Sequence, residues 1–189
     1  MFTDTIDAVI DRVDAIRHKV DDHWQIPRDE AQVLAGLVLA MGATSICEIG
    51  CSYGFSTLHL AGAVAINGGR LHGFDLSEKK VNATTTHLAE AGLQSVATIH
   101  HGDARQTVKA FVPERPYDFV FIDATKAQSF GYLEAVTPHL APRAVLATDN
   151  TISHRDELTD FVAHLRALEG AHSVEVPVGN GFELTIVRR

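Results

Sequence analysis

Acidic and amide side chains follow two consecutive apolar runs in the second half of the chain. Asp123 comes at the end of the run 117–123, and Asp149 and Asn150 end and follow the run 143–149. If the two runs are adjacent parallel strands, their carboxyl ends lie about 5 Å apart. Two carboxylates and an amide oxygen are hard ligands, which suit Mg²⁺, Mn²⁺ or Ca²⁺ better than Zn²⁺. The pattern therefore predicts a divalent-metal site.

Each of these residues also has an ordinary structural explanation. Asp149 can cap a helix, and Asn150 can turn a loop. Lys126 can reach back over Asp123, but it can equally be a solvated loop lysine or a charge partner for the aspartates. These explanations account for the residues singly and not for their convergence, so we favour the metal site.

A glycine-containing turn after the run 44–49 is a second candidate site. It contains Gly50 and Gly54, and a helical pattern begins at Ser56, which is placed to cap the helix. Glycines allow close approach of a ligand, and free N–H groups at a helix start attract an anionic or zwitterionic group. By itself such a turn is a weak signal, because many α/β proteins have one for packing alone.

Asp75 is either a plain helix-capping acid or a residue that gives the turn a more definite ligand, and we favour the second interpretation. Its distance along the chain from Gly50 is that at which an acid accepts hydrogen bonds from ribose hydroxyls. A dinucleotide fingerprint would also need glycine at two positions that here hold Ser52 and Phe55. We therefore expect a ligand that carries adenosine but is not a dinucleotide.

The elements that must position these side chains alternate between strand and helix. Strand-like runs lie at 44–49, 70–75, 96–101, 117–123 and 143–149, and a hairpin is predicted for 173–178 and 182–187. Helical patterns at 4–23 and 27–41 precede them. The alternation predicts an α/β protein with a doubly wound, mostly parallel seven-stranded sheet and an antiparallel C-terminal edge hairpin. Ligands of such sheets bind at the carboxyl ends of the strands.

The third run ends next to Asp103 and Ala104, which brings them to the same predicted edge. There they can meet the adenine of an adenosine-bearing ligand. Asp103 can equally cap the helix that follows, and the sequence leaves both possibilities open.

Composition limits the class of protein. The 189 residues fit a single domain, 1–189, with N-terminal helices in 1–42 and the α/β core in 43–189. A net charge of -8 without a long Lys/Arg cluster argues against a nucleic-acid partner. No apolar run is long enough to span a membrane, and two cysteines without an export signal favour the reduced cytoplasm.

At this point the sequence resembles a known family, the divalent-metal-dependent O-methyltransferases of the catechol and caffeoyl-coenzyme-A type. The resemblance covers about residues 25–187 with its spacing kept. It rests on the motifs Glu48-Ile-Gly-Cys-Ser-Tyr-Gly-Phe-Ser56, Gly73-Phe-Asp75, Gly102-Asp-Ala104, Phe121-Ile-Asp-Ala-Thr-Lys126 and Thr148-Asp-Asn150. It implies a Rossmann-like methyltransferase fold and S-adenosylmethionine as cofactor.

The resemblance also implies roles for single residues. The cofactor would be bound by Glu48, Gly50, Cys51, Ser52, Gly54, Ser56, Asp75, Asp103 and Ala104. The metal, Mg²⁺ or else Mn²⁺ or Ca²⁺, would be held by Asp123, Asp149 and Asn150. Lys126 would be the base that takes the acceptor's proton, with Asp123 beside it in the catalytic centre. The acceptor would be a small hydroxylated aromatic molecule.

The chain departs from the family pattern near the acceptor. Thr125 stands where an acid or aromatic residue is usual, Ser129 stands where an aromatic is expected, and the loop after Asn150 is short. These departures leave open a hydroxylated tRNA base as acceptor, or a cofactor-binding protein without activity. The amphipathic pattern at 4–23 leaves open whether that helix packs on its own chain or forms a homodimer.

Overall fold

The computed structural model describes residues 2–17 and 19–188. The helices are α1 (Asp4–Ala15), α2 (Arg28–Met41), α3 (Phe55–Ile66), α4 (Glu78–Glu90), α5 (Ala104–Ala110), α6 (Ser129–Val136) and α7 (Arg155–Ala167). The strands are β1 (Ser45–Ile49), β2 (Arg70–Asp75), β3 (Ala97–His101), β4 (Tyr117–Ile122), β5 (Leu140–Asp149), β6 (Ala171–Val176) and β7 (Phe182–Arg188). Short 3-10 turns at Lys126–Gln128 and Thr137–His139 flank α6.

All seven strands form one sheet, in the order β3-β2-β1-β4-β5-β7-β6. The first five pair in parallel, whereas β7 runs antiparallel to both β5 and β6. The predicted doubly wound, mostly parallel sheet with an antiparallel C-terminal hairpin is therefore confirmed. The direction in which strands are added reverses between β1 and β4, and a crevice opens outside the carboxyl ends of the strands at such a point.

The sheet is buried on both faces because its central strands are apolar at nearly every position. Along β4, Phe119 and Phe121 point into the core beneath α1, α2 and α3, and Val120 and Ile122 point into the core beneath α5, α6 and α7. Side chains of a strand alternate between faces, so continuous apolar runs mark strands covered on both sides. That rule is why these strands could be predicted so closely.

Helix α1 packs on its own chain. Its apolar stripe of Ile6, Val9, Ile10 and Val13 is buried in the same core as α2 and α3. The helix ends at Ala15, so the prediction that it extends to residue 23 was wrong. Residue 18 of that prediction lies outside the described residues.

Helix α3 starts differently from the prediction. Gly54, with φ 87°, is the N-cap residue, and Ser56 lies inside the first turn of the helix. The prediction that Ser56 caps this helix was therefore wrong. Its hydroxyl donates instead to the carboxylate of Glu48 on β1, at 2.5 Å.

Candidate active site

The predicted metal residues meet at one edge of the sheet. Strands β4 and β5 pair in parallel with Ile122 opposite Thr148, so Asp123 and Asp149 leave the sheet side by side. Together with Asn150 and Lys126, they line a cleft of about 810 Å³ that extends across the carboxyl ends of β1, β2 and β4. The predicted convergence of these residues is confirmed, while their binding of a metal stays a prediction.

The backbone at Asn150 turns its side chain toward this edge. Asn150 has φ 71°, a left-handed conformation that asparagine tolerates better than most residues. Its backbone N–H donates to Asp149 Oδ1 at 2.5 Å, and its Nδ2 donates to Ser153 Oγ at 3.1 Å. Both nitrogens are therefore used within the loop, which leaves the amide oxygen available as a ligand.

Asp149 is a carboxylate in an environment that disfavours its charge. Asp149 is only 1% exposed, and its Oδ2 is buried without a hydrogen-bond partner among the described residues. Burial, and then the neighbouring acids Asp123 and Glu30, raise the pKa of Asp149 well above its usual range. A buried acceptor without a donor costs free energy, and a bound cation would remove that cost.

The donor set fits a hard cation with oxygen ligands. Within residues 2–17 and 19–188, no group of three or more His, Cys, Asp or Glu side chains is arranged to hold a metal. The oxygens predicted to hold a cation are those of Asp123, Asp149 and the amide of Asn150, which all line the cleft, and oxygens from water or from the acceptor would complete the set. Proteins in general bind Mg²⁺ in this manner, through one or two carboxylates plus water or substrate oxygens.

Lys126 reaches back over Asp123 as expected. Its Nζ donates to Asp123 Oδ1 at 3.0 Å, and its side chain is only 13% exposed. Ser129 Oγ donates to the Lys126 carbonyl at 2.8 Å, which fixes the short turn that carries the lysine. Lys126 is thus a charge partner of the aspartate, and it also stands at the wall of the cleft.

The glycine turn after β1 packs closely against the residue that follows β4, Asp123. Gly50 has φ 92°, and a Cβ at this position would overlap the Asp123 carbonyl. Gly54 has φ 87°, and a Cβ there would lie 2.8 Å from Thr84 Cγ2 on α4. Both glycines are therefore needed for close packing, and Gly50 also brings the turn against the residue that begins the proposed metal site.

Asp75 connects β2 with the glycine turn. Its Oδ2 accepts from the Ser52 N–H and its Oδ1 accepts from the Ser77 N–H, both at 2.9 Å. The carboxylate is thereby held at the cleft, which it lines together with Gly50 and Ser52. Each carboxylate oxygen keeps a further lone pair with which it can accept from a ligand hydroxyl.

Asp103 is the N-cap residue of α5. It accepts from the Arg105 N–H at 3.0 Å and from the Arg105 guanidinium, and these hydrogen bonds lower the pKa of Asp103. The capping alternative is therefore confirmed. Asp103 and Ala104 also line the cleft, where an adenine could reach them. Their contact with adenine stays a prediction.

The other predicted cofactor residues lie behind the cleft wall. Glu48, Cys51, Gly54 and Ser56 are buried and are not among the residues that line the cleft. Glu48 is 0% exposed, and burial raises its pKa to about 7. The structure thus places these four residues as support for the turn, and their direct contact with a cofactor stays a prediction.

Two residues that the sequence analysis did not select belong to this region. Glu30 on α2 is buried beside Asp149, although in the sequence it is only an acid in the first turn of a helix. Trp24 is 73% exposed on the rim of the cleft, and Lys80 Nζ lies 4.7 Å from its ring centroid. No periodic pattern distinguishes either residue, so only the tertiary structure identifies them.

A Rossmann-like sheet with its cleft at the carboxyl ends of the parallel strands defines the class of nucleotide-binding α/β proteins. Residues 47–151 match the model of the methyltransferase domain family. The chain therefore belongs to the methyltransferase domain family, as the motifs predicted. Within the described residues, no helix is long and apolar enough to cross a membrane.

Proteins with similar sequences carry the names of the family that the motifs resemble. An Arabidopsis thaliana protein named for caffeoyl-CoA O-methyltransferase is 27% identical over 68% of this chain, and the match covers 55% of that protein. The catechol O-methyltransferase of Niastella koreensis is 30% identical over 72% of the chain and 62% of its own length. The matches thus span less than two thirds of either relative.

A solved structure agrees with the fold. The O-methyltransferase from Bacillus cereus in complex with SAH superposes with a TM-score of 0.84 at 22% identity, over 98% of this chain and 91% of the other. The likeness confirms the predicted Rossmann-like methyltransferase fold.

Proposed function

We propose that this protein transfers a methyl group from S-adenosylmethionine to an oxygen of a small catechol-like or vicinal-diol acceptor held by Mg²⁺. One observation carries the metal-dependent part of the proposal. Asp123, Asp149 and Asn150 converge at the cleft, and Asp149 Oδ2 is buried there with no donor among the described residues. The similarity to catechol and caffeoyl-CoA O-methyltransferases supports the reaction type.

The cofactor would occupy the half of the cleft formed by β1, β2 and the start of α5. Gly50 and Ser52 offer backbone close to the ligand, and Asp75 would accept from the ribose hydroxyls. Ala104 would lie against the adenine. Because Asp75 is already fixed by two backbone N–H groups, it needs little rearrangement to bind a hydroxyl pair.

Asp123, Asp149 and Asn150 would hold the divalent cation in the other half. When bound, the cation would lower the pKa of the acceptor hydroxyl, each unit corresponding to about 1.4 kcal/mol in favour of the oxyanion. The three residues also fix where the acceptor lies relative to the methyl donor. Orientation of this kind supplies about 7–11 kcal/mol in favourable cases.

Lys126 would move the acceptor's proton. Its Nζ, 3.0 Å from Asp123 Oδ1, is held at the wall of the cleft beside the proposed metal ligands. To serve as the base, the amine must be neutral or pass the proton on.

A methyl-transfer screen tests the proposal. Purified protein is incubated with labelled S-adenosylmethionine, with and without Mg²⁺, and with catechols, hydroxycinnamoyl thioesters or undermodified tRNA. We expect Mg²⁺-dependent methylation of at least one vicinal diol and none of tRNA, in line with the net charge of -8. Methylation of tRNA alone would replace the proposed acceptor, and no methylation with any acceptor would favour a cofactor-binding protein without activity.

We also propose that residues 1–189 act as one domain in the cytoplasm. Both cysteines, Cys47 and Cys51, are free and buried, which agrees with a reducing compartment.

A further inference from the structure

Glu30 is a fully buried carboxylate on a helix that the predicted site did not include. It lies in the first turn of α2 and is 0% exposed. Acidic side chains are almost never fully buried unless they are paired. Its Oε2 accepts from the backbone N–H of Asn180 at 2.9 Å. Its Oε1 is buried without a hydrogen-bond partner in the described part of the chain, and the carboxyl group of Asp149 lies beside Glu30.

The partner of Glu30 is the tip of the β6–β7 hairpin, residues 179–181. This tip in turn holds the loop that follows Asn150. The Asn180 carbonyl accepts from the N–H groups of Ile152 and Ser153, both at 3.1 Å. The Gly181 carbonyl accepts from the Thr151 N–H at 2.9 Å. The loop 151–153 therefore takes its position from the hairpin tip.

The tip is shaped to receive Glu30 closely. A Cβ at Gly179 would overlap Glu30 Oε2 and lie 2.9 Å from Glu30 Cβ. A Cβ at Gly181 would lie 2.7 Å from Ile152 Cδ1, in the loop that the tip holds. Both glycines have positive φ, so the turn itself also favours them. Close approach on both sides makes α2, the tip and the loop one connected unit.

We propose that Glu30 is a positioning residue for the metal-binding loop. Through Asn180, its carboxylate fixes the tip and the loop 151–153, so that Asn150 keeps the left-handed conformation in which its amide oxygen faces the cleft. Asn180 itself lines the cleft, so the same contact shapes the acceptor side. The metal part of this inference rests on the proposed function.

Two variants test the contact. Glu30→Ala removes the acceptor for the Asn180 N–H, whereas Glu30→Gln keeps a carbonyl oxygen that can accept it. Leu34→Ala, one turn further along α2 and equally buried, controls for general loosening of the helix. Gly179→Ala disturbs the contact from the side of the tip.

Three measurements are compared for each variant: amide hydrogen exchange of the metal-free protein, Mn²⁺ affinity by electron paramagnetic resonance, and S-adenosylmethionine affinity by calorimetry. We expect Glu30→Ala and Gly179→Ala to speed exchange in 150–154 and 179–181. We expect them to weaken Mn²⁺ binding about 10- to 100-fold while S-adenosylmethionine affinity is kept. Glu30→Gln should stay near the wild type, and Leu34→Ala should leave Mn²⁺ affinity unchanged.

Unchanged exchange of the loop and tip in Glu30→Ala would overturn the inference. So would an equal loss of Mn²⁺ affinity in Leu34→Ala, because the role of Glu30 would then be general stability. If the wild type binds no Mn²⁺, the proposed metal function fails instead, and the exchange data still decide whether Glu30 holds the loop.

Discussion

At the scale of single residues, the proposed active site is a group of neighbouring acids whose negative charges Lys126 neutralises only in part. Lys126 is paired with Asp123, and the charge of Asp149 is disfavoured by burial. The sequence predicted that these residues converge, because their places at strand ends follow from the order of apolar runs. It did not predict that Asp149 would lack a hydrogen-bond donor, because the surroundings of Asp149 include Glu30 from the distant helix α2.

Replacing Lys126 by methionine tests its role as the base. The variant keeps most of the unbranched length of the side chain and loses the amine. We expect kcat to fall about 10²- to 10⁴-fold, the usual contribution of general acid–base catalysis, with Mn²⁺ affinity retained. Steady-state kinetics and electron paramagnetic resonance measure the two effects. A kcat within a few-fold of the wild type would show that Lys126 serves only as the charge partner of Asp123.

Glu48 makes stability depend on pH. Burial raises its pKa from 4.5 to about 7, so the unfolded chain ionises first as pH rises. The free energy of unfolding therefore falls as pH rises from about 4.5 to 7, and the fall is complete above pH 7. Its size, from the difference between the two pKa values, is about 3 kcal/mol. We expect Glu48→Gln to remove this loss.

Urea unfolding of wild type and Glu48→Gln at pH 4 and pH 8 measures the effect. The variant should gain stability relative to the wild type on going to pH 8. A difference that is equal at both pH values would contradict the buried, protonated state of Glu48.

At the scale of elements, strands could be predicted better than the contacts between loops. The five parallel strands were each within three residues of their observed bounds. The central strands β1 and β4 were the easiest to predict, because they are buried along nearly their whole length. The predicted N-cap of α3, Ser56, was wrong because the helix can begin at either the serine or the glycine of the turn, and it begins after Gly54. Glu30 and Asn180 were not linked because 150 residues separate them in the chain.

The glycine turn predicts a difference between two substitutions. Gly50→Ala would place Cβ against the Asp123 carbonyl, whereas Gly68→Ala, also at positive φ, has no atom within 4 Å of the new Cβ. We expect Gly68→Ala to cost about 1 kcal/mol from backbone strain alone, and Gly50→Ala to cost several times more. Urea unfolding measures both. Equal losses would show that the approach of β1 to β4 is not tight at this turn.

At the scale of the whole molecule, the observed fold agrees with the family that the sequence motifs indicated. The resemblance extends over the sheet, and a mostly parallel seven-stranded sheet with an antiparallel C-terminal hairpin is what the sequence predicted. Thr125, Ser129 and the short loop after Asn150 depart from the family pattern and lie close in the chain to the proposed metal ligands. The identity of the acceptor is therefore the part that the sequence predicts least.

The central claim is that Asp149 helps to hold a metal that the reaction needs. The most direct measurement compares methylation of a catechol by wild type and Asp149→Ala, each with Mg²⁺ and with EDTA, while calorimetry follows S-adenosylmethionine binding. We expect the wild type to be active only with Mg²⁺, and Asp149→Ala to be inactive while it still binds S-adenosylmethionine. Full activity of Asp149→Ala in EDTA would contradict the account.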